Sequence, residues 1–384
     1  MAGIYIHIPF CRKACHYCNF HFSTSLHRKG ELLRVLQQEI GSQQFPVGVI
    51  PERNVETIYF GGGTPSLLET RELTSMLQAL HQHFTIADNA EITLEANPDD
   101  ITSEKLFAWK TAGINRLSIG IQSFFDADLQ WMNRAHDSEQ ATASIRLAKE
   151  FGFNDLTIDL IYGTPTLTDE QWKANVETAI ELGVNHLSCY ALTVEDNTAL
   201  KHFIKRGKVP PVDEIKQGRH FELLLQWMDE AGFEQYEISN FSKPGHRSQH
   251  NSNYWSGHAY YGFGPAAHSF DGDKTRWWNV ANNALYIDRI NASEPVFEFE
   301  ILSPVQRMNE QIMTCLRTSE GFALAILEEQ FMNLENGKQI TDRFFILLKK
   351  YESEGLLLIE DGQVRLTRPG KLFADGIASS LFLD

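Results

Sequence analysis

Three cysteines lie within eight residues near the start of the chain, as Cys11, Cys15 and Cys18 in the segment CRKACHYC. Thiolates are the soft ligands that iron–sulfur clusters select, and one short loop can present three of them to one face of a cluster. The odd number disfavours a disulfide framework, and a structural zinc site usually takes four ligands in CxxC pairs. His16 and His21 keep zinc open as an alternative. The spacing favours a [4Fe–4S] cluster whose fourth iron is left open.

The segment around these cysteines, YIHIPFCRKACHYCNF, resembles the CxxxCxxC signature of the radical SAM superfamily. In that superfamily the amino and carboxylate groups of S-adenosylmethionine chelate the open iron. A GGGTP turn, residues 61–65, follows the apolar run VETIYF. Its glycines let a ligand approach the backbone, and it matches neither GxGxxG nor GxxxxGK[ST], which disfavours a dinucleotide or a nucleoside triphosphate. In radical SAM proteins such a turn receives the amino group of the methionine moiety.

Composition limits the partners and the compartment. The 384 residues carry a formal net charge of -16, which repels phosphate backbones, so nucleic acid is not expected as a partner. Apolar runs are shorter than a membrane-spanning helix needs, and the N-terminus has neither a basic region nor a small-residue cleavage site. We therefore expect a cytoplasmic protein, in which Cys189 and Cys315 are buried as small apolar side chains.

A repeated pattern predicts the fold of the first half. Helical segments end at a glycine and are followed by short β-rich runs, with the glycines at Gly113, Gly152, Gly183 and Gly232. Six strands before residue 192, separated mostly by helix-length segments, indicate parallel pairing with crossover helices. The predicted fold class is α/β, with a partial (β/α)6 TIM-like radical SAM barrel, then an α+β segment and a winged-helix-like module.

The predicted strands end in residues suited to binding a ligand. In a βα barrel these ends meet at one rim, so the candidates should form one site rather than six separate ones. Taken alone, Glu95, Gln122 or Asp159 could equally be a structural residue at a strand end. The strand-end candidates are Tyr5 with the cysteine loop, the glycines at 61–63, Glu95, Gln122, Asp159 and Tyr190 with Ala191.

We expect three structural units. Residues 1–210 form the barrel, residues 211–300 an α+β extension that carries the hexapeptide HNSNYW, and residues 301–384 the winged-helix-like module. Two helical patterns followed by two short strands that turn at Asp361 and Gly362 predict the last unit. Winged helices often bind DNA, but the acidity of the chain and the lack of a basic recognition helix favour a packing role.

The order of motifs along the chain narrows the resemblance. YIHIPFC, GGGTPS, EANPDD, SIGIQSF, NRAHD, IDLIYGTP and CYALTVE are similar to the oxygen-independent coproporphyrinogen III oxidase family over nearly the whole chain. Independently of the family, carboxylates can accept hydrogen bonds from ribose hydroxyls or an amino group, and an arginine can pair with a carboxylate. The resemblance implies that S-adenosylmethionine is held by Tyr5, Phe20, Gly62, Gly63, Thr64, Glu95, Gln122, Arg134, Asp159 and Ala191.

Two departures point away from the oxidase itself. The oxidase motif resembles CxxxCxxCxC, but Phe20 stands in place of its last cysteine, and the N-terminal extension of the oxidase is not expected here. Both features resemble the HemW-type haem chaperones of the same family, whose further mark, HNxxYW, is present at 250–255. An axial imidazole and flat aromatic rings suit a porphyrin, so the resemblance implies haem binding by His250, Asn251, Tyr254 and Trp255. His246, His258 and His268 are open as second ligands or surface residues.

The resulting hypothesis is a haem chaperone that binds haem, a [4Fe–4S] cluster and S-adenosylmethionine and passes haem to acceptor proteins. The resemblance implies respiratory enzymes as acceptors, a homodimer and contact with the membrane periphery during transfer. The alternative is a radical SAM coproporphyrinogen III oxidase, and a third possibility is a regulator that binds DNA through the C-terminal module. The residues leave open whether S-adenosylmethionine is cleaved, and therefore whether the chain is an enzyme.

Overall fold

The structure, a computed structural model, describes residues 2–42 and 44–383. Strands and helices alternate through its first half, as the sequence predicts. The strands are β1 (Ala2–Ile8), β2 (Asn54–Gly62), β3 (Thr85–Ala96), β4 (Arg116–Gln122), β5 (Asp155–Tyr162) and β6 (His186–Ala191). The helices are α1 (Lys29–Ser42), α2 (Thr70–His83), α3 (Ser103–Ala112), α4 (Asp126–Trp131), α5 (Ser138–Glu150) and α6 (Asp169–Glu181).

Strands β1 to β6 pair in chain order and all in parallel. The glycines predicted to end helices do so with positive φ, for example 103° at Gly113 and 69° at Gly183. Along each strand the side chains alternate between an apolar face, which packs under the helices, and an inward face that is largely polar. In the part of the chain that the structure describes, β1 and β6 are not neighbours, so the barrel is partial as predicted.

The segment after β6 extends the same sheet at both edges. Strand β8 pairs antiparallel with β6, and β9 pairs in parallel with β1. The sheet therefore continues across the predicted boundary at residue 210, and the division into units stays a prediction. The elements are α7 (Ala199–Lys205), α8 (Glu214–Glu230), β7 (Glu234–Glu237), β8 (Asn240–Ser242), α9 (Gln249–Trp255), β9 (Ala259–Phe263), β10 (His268–Phe270), β11 (Thr275–Asn279), α10 (Asn283–Asn291) and β12 (Phe297–Ile301).

One buried carboxylate joins the barrel to this extension. Glu39 on α1 accepts hydrogen bonds from the Gly264 amide (2.8 Å), Asn279 Nδ2 (2.6 Å) and the Tyr286 hydroxyl (2.5 Å). Burial raises its pKa to about 6. Since each of its partners lies beyond β9, the first helix is fixed by residues far along the chain.

The C-terminal module has its own apolar core, which includes Ile312, Phe344 and Leu348. Its small sheet has the order β13-β15-β14, and the β14–β15 hairpin turns through Asp361 and Gly362, both with positive φ. The arrangement is winged-helix-like, as predicted. The elements are α11 (Pro304–Leu316), β13 (Phe322–Ala323), α12 (Leu324–Met332), α13 (Gly337–Ser353), β14 (Leu357–Glu360), β15 (Gln363–Leu366) and α14 (Ala374–Ser380).

Candidate functional site

The inward faces of β1 to β6 line a cavity of about 1440 Å³. Its lining extends from the cysteine loop at the carboxyl ends of the strands, which we name the rim, to helix α9, which we name the inner end. Small-molecule pockets typically measure roughly 300–1,000 Å³, so this cavity has room for more than one ligand. Of the predicted site residues, Trp255 lies outside the lining. The others line it: Tyr5, Cys11, Cys15, Cys18, Phe20, Gly62, Gly63, Thr64, Glu95, Gln122, Arg134, Asp159, Ala191, His250, Asn251 and Tyr254.

The cysteine loop is closed at its base by backbone hydrogen bonds. The Cys11 amide donates to Ser23 O (3.1 Å), and the Ser23 amide donates to Pro9 O (2.9 Å). All three thiols are free and partly buried. The Thr64 hydroxyl lies 3.5 Å from Cys11 Sγ, and Arg134 Nη1 lies 3.3 Å from Cys15 Sγ. The loop is thereby held against the GGGTP turn and the arginine that follows α4.

The donor set fits a cluster better than a single ion. Burial, with smaller contributions from the nearby Cys18 and Cys15, raises the pKa of the Cys11 thiol to about 11, so bound iron would have to displace this proton. Among residues 2–42 and 44–383, no three His, Cys, Asp or Glu side chains are grouped to hold a metal ion. In a cluster each thiolate ligates a different iron, so the sulfurs need not converge on one point.

The two histidines that kept zinc open are engaged elsewhere. His16 Nδ1 lies 2.9 Å from Trp131 O, and His21 Nε2 lies 2.7 Å from Asn283 Oδ1. Neither histidine lines the cavity. Among the described residues neither histidine joins the three thiols in a group that could hold one metal ion, so the structure gives the zinc alternative no support.

The glycines at the end of β2 occupy positions where a larger residue would not fit, and Gly62 and Gly63 line the cavity. A Cβ on Gly61 would lie 2.9 Å from the rings of Tyr5 and Tyr59, and Gly62 has a φ of 104°. The Gly62 amide donates to Glu95 Oε2 at 3.1 Å, and the Tyr59 hydroxyl donates to Glu95 Oε1 at 2.8 Å. The turn and the carboxylate therefore form one hydrogen-bonded unit at the rim.

Charged groups around this unit are partly buried. Burial raises the pKa of both Glu95 and Asp159 to about 7. Arg134 Nη2 donates to Asn97 Oδ1 and to Gly120 O, both at 2.7 Å. The arginine thus has a fixed orientation beside Cys15 and can pair with a ligand carboxylate. The two acids can hydrogen-bond to an amino group or hydroxyls.

Gln122 has a φ of 70°, which is uncommon for a residue other than glycine. It stands at the end of β4, where the register with β5 shifts after Ile119. A strained residue at a strand end that lines a cavity is consistent with a binding role. Phe20 lies at the mouth of the cavity with 68% of its surface exposed.

Helix α9, which carries the HNSNYW hexapeptide, covers the inner end. The Glu91 carboxylate on β3 accepts hydrogen bonds from the amides of Gln249 and His250, both at 3.0 Å. His250 is buried and stacks on Tyr59 with ring centroids 5.1 Å apart. Its Nδ1 lies 2.8 Å from Thr57 Oγ1, while its Nε2 is buried without a partner. Burial lowers the pKa of His250 to about 3, so the imidazole is neutral.

The other residues of the hexapeptide divide between the cavity and its outer wall. Tyr254 packs edge-on against His250, with centroids 5.1 Å apart. Asn251 donates to the Tyr236 hydroxyl (3.2 Å) and accepts from Trp255 Nε1 (3.1 Å). Trp255 lies under the guanidinium of an arginine from the C-terminal module instead of facing the cavity. The three further candidate histidines also lie outside the lining: His246, His258 and His268.

Sequence reasoning missed two parts of the lining. One is a set of polar side chains within β3 and at the amino ends of β4 and β6, including Thr93, Arg116 and His186. The other is the C-terminal module, which contributes Arg317 and residues 371–376. The strand residues had a detectable pattern, because polar residues alternate with apolar ones along parallel strands, which are usually almost continuously hydrophobic.

Comparison with protein families matches residues 5–179 to the radical SAM superfamily and residues 302–373 to the HemN C-terminal domain. The chain is 33% identical to the heme chaperone HemW of Bacillus subtilis, over 98% of each chain. It is 34% identical to the protein of the same name from Mycobacterium tuberculosis H37Rv, over 99% of this chain and 94% of that one.

A likeness to a solved structure extends over almost the whole chain. The coproporphyrinogen III oxidase HemN from Escherichia coli superimposes with a TM-score of 0.85, covering 99% of this chain and 90% of that one. The two sequences are 23% identical, so this likeness shows a shared fold.

Proposed function

Because the chain belongs to the heme chaperone HemW family of the radical SAM superfamily, we propose that it binds haem in its cavity and passes it to acceptor proteins. The observation that carries the proposal is His250. Its imidazole is buried and neutral, one ring nitrogen is held by Thr57, and the other is free at the cavity wall. An imidazole whose second nitrogen is oriented by a hydrogen bond is the usual state of a metal-ligating histidine.

The surroundings of His250 suit a flat aromatic ligand. Tyr59 and Tyr254 present rings to the imidazole from two sides. Aromatic faces bind porphyrins through apolar contact, and the large cavity leaves room beyond these rings. We infer that His250 supplies an iron ligand, while Tyr254 and Asn251 shape the inner end. Trp255 supports Asn251 from outside the cavity, because its indole donates a hydrogen bond to Asn251 and does not line the cavity.

Membership of the radical SAM superfamily brings a [4Fe–4S] cluster and S-adenosylmethionine as cofactors. Cys11, Cys15 and Cys18 would hold the cluster, which when bound can deliver one electron to S-adenosylmethionine. Glu95 and the Gly62–Gly63 backbone would orient the amino group, Arg134 the carboxylate, and Asp159 the ribose. Tyr5, Phe20, Thr64, Gln122 and Ala191 would complete the contacts. These assignments are supported by their convergence on one rim.

Transfer of haem needs an acceptor and a route out of the cavity. We infer that haem passes to acceptor proteins such as respiratory enzymes, with homodimer formation and peripheral membrane contact as parts of the cycle. None of the described helices is long and apolar enough to cross a membrane. The oxidase alternative is less well supported, since Phe20 replaces the further cysteine and the relatives cited above carry the chaperone name.

An anaerobic haemin titration tests the proposal, using cluster-reconstituted protein and following the Soret band. We expect saturable, stoichiometric binding whose spectrum changes and whose affinity falls at least about tenfold in His250→Ala, since an iron ligand is lost. The control is His268→Ala, because His268 stacks on Trp278 outside the cavity. Weak, unsaturable binding that is the same in all three proteins would refute the proposal. Conversion of coproporphyrinogen III to protoporphyrinogen IX would favour the oxidase.

A further inference from the structure

Of the described residues that line the cavity, seven have a buried polar atom without a hydrogen-bond partner, and four of these residues are almost wholly buried. The open atoms of these four are Thr93 Oγ1, Arg116 Nε, His186 Nδ1 and His250 Nε2, and each of their residues is at most 3% exposed. We name these four residues the inner belt. Because buried polar groups are nearly always partnered by protein, water or a ligand, four open atoms facing one cavity indicate that something else occupies it.

The strand register places three members of the inner belt side by side. Thr93 on β3 is the register partner of Arg116 on β4, and Thr157 on β5 is the register partner of His186 on β6. Arg116 Nη2 reaches across to Thr157 Oγ1 at 2.8 Å. The guanidinium therefore lies between Thr93 and the imidazole of His186, on one continuous wall.

Two of the open atoms are hydrogen-bond donors. Arg116 Nε always carries a proton. The Tyr236 hydroxyl accepts from Asn251 Nδ2 (3.2 Å), so its own proton points to His186 Nε2 (2.7 Å). Burial lowers the pKa of His186 well below its usual value, so the ring is neutral and its single proton is on Nδ1. Two N–H groups beside a guanidinium form a receptor for an anionic oxygen ligand.

The charge of Arg116 is only partly compensated. Its nearest carboxylate, Glu91, lies 3.9 Å from Nη1, which is too long for a hydrogen bond. That carboxylate is engaged with helix α9, where it accepts from the amides of Gln249 and His250. Arg116 can therefore accept a second anionic partner on the side of Nε.

We propose that Arg116 and His186 bind a carboxylate group of the molecule that occupies the inner end of the cavity, with Thr93 as an additional contact. The identity of this carboxylate rests on the proposed function. It is a propionate of haem, bound beside the His250 imidazole. A haem propionate and an iron ligand would then be recognised from neighbouring parts of one wall. The competing explanation is that ordered water alone completes the inner belt.

Comparing haemin with its dimethyl ester tests the carboxylate directly, because esterification neutralises both propionates and leaves the porphyrin and its iron unchanged. We expect the wild-type protein to bind haemin at least about tenfold more tightly than the ester, as lost charge-assisted hydrogen bonds imply. In the double variant Glu91→Gln with Arg116→Gln, the preference should fall below about threefold. Changing both residues avoids leaving one buried charge unpaired.

A matched control makes the same two changes outside the cavity. Arg28 Nε lies 2.8 Å from Glu31 Oε2, and neither residue lines the cavity. Arg28→Gln with Glu31→Gln should keep the full preference for haemin. The milder Arg116→Lys keeps the charge but removes Nε, and it is expected to lose part of the preference. Thermal unfolding and haemin saturation show that each variant is folded.

The outcomes separate this inference from the proposed function. If wild-type protein binds haemin saturably but binds the ester equally well, water alone fills the inner belt and the inference is overturned, while haem binding stands. A preference that persists in the Glu91–Arg116 double variant also overturns it, by placing the carboxylate elsewhere. If haemin does not bind saturably at all, both proposals fall.

Discussion

The rim and the inner end of the cavity are built from the same six strands but differ in how their polar groups are partnered. At the rim, Glu95 accepts two hydrogen bonds and Arg134 donates to two oxygens and contacts a cysteine sulfur. At the inner end, Arg116, His186 and His250 each leave a buried nitrogen open. The protein itself partners most polar groups of the rim, with Arg134 Nε and Asp99 Oδ1 as exceptions, whereas the almost wholly buried groups of the inner end leave more for an occupant to complete.

The largest expected effect lies at the rim, where the thiols are the only proposed link to the cluster. Replacing Cys11, Cys15 or Cys18 singly with Ala should abolish stable cluster binding, because two thiolates cannot secure a labile cluster. Iron content and the visible charge-transfer absorbance after anaerobic reconstitution measure this. Cys315→Ala, outside the cavity, should retain the cluster. Full iron content in any of the three loop variants would contradict the assignment of that cysteine as a cluster ligand.

The next largest effect tests whether the rim really depends on its internal hydrogen bonds. Arg134→Met leaves Asn97 Oδ1 and Gly120 O without their donor, which should cost about 3 kcal/mol in the free energy of unfolding. The affinity for S-adenosylmethionine should also fall at least about tenfold, since a carboxylate partner is lost. Denaturant unfolding and calorimetric titration measure the two effects. Unchanged affinity would mean that Arg134 only supports the loop.

A smaller effect concerns pH. Burial raises the pKa of Glu95 to about 7, and an ionised carboxylate accepts hydrogen bonds from the amino group more strongly than a protonated one does. Affinity for S-adenosylmethionine should therefore increase about tenfold between pH 6 and pH 8, as the competent fraction increases. Glu95→Gln should lower the affinity and make the profile shallower, with a residual slope from Asp159. An equally steep profile in the variant would exclude Glu95 as the titrating group.

The raised pKa of Glu95 also determines the direction in which stability changes with pH. Folding raises the pKa of Glu95 above its ordinary value of 4.5, so the folded state binds more protons between about pH 4.5 and 7. The contribution of Glu95 to the free energy of unfolding is complete below pH 4.5 and is lost as the pH rises through 7. Glu95→Gln should remove this decline, which chemical denaturation at a series of pH values measures.

The smallest expected effect concerns the hexapeptide at the inner end of the cavity. Trp255 belongs to the hexapeptide but stacks on Arg317 at 5.3 Å, outside the cavity. Trp255→Leu should change haem affinity less than about threefold and lower the free energy of unfolding by about 1 kcal/mol. Haemin titration and thermal unfolding measure this. A loss as large as that of His250→Ala would show that the indole reaches haem.

The rim could be predicted from the sequence because its residues stand where strands end. Glycines at 61–63 and single polar residues such as Glu95 and Asp159 mark these ends, and parallel strands bring them to one edge. The six strands and the C-terminal hairpin follow equally local rules of helix termination and turn formation. These features depend on neighbours in the chain.

The inner end could not be predicted in the same way. Arg116 and His186 begin β4 and β6 and Thr93 lies within β3, away from the carboxyl ends, and the proximity of the three depends on the register of β3 to β6. The side chain that stacks on Trp255 belongs to Arg317, sixty-two residues further along the chain. Alternating polar residues in buried strands do indicate a polar interior, but which side chains meet there is set by tertiary structure.

The position of β1 in the sheet has a consequence for biosynthesis. One of its two neighbours is β2, but the other is β9, about 250 residues further along the chain, and α1 is fixed by partners of Glu39 that come later still. At roughly 5–20 residues per second, a ribosome needs roughly 10–50 s to translate the chain from β1 to β9. During that time β1 has a free edge and α9 is absent from the cavity wall. The cluster ligands are therefore translated long before the inner end of the cavity is closed.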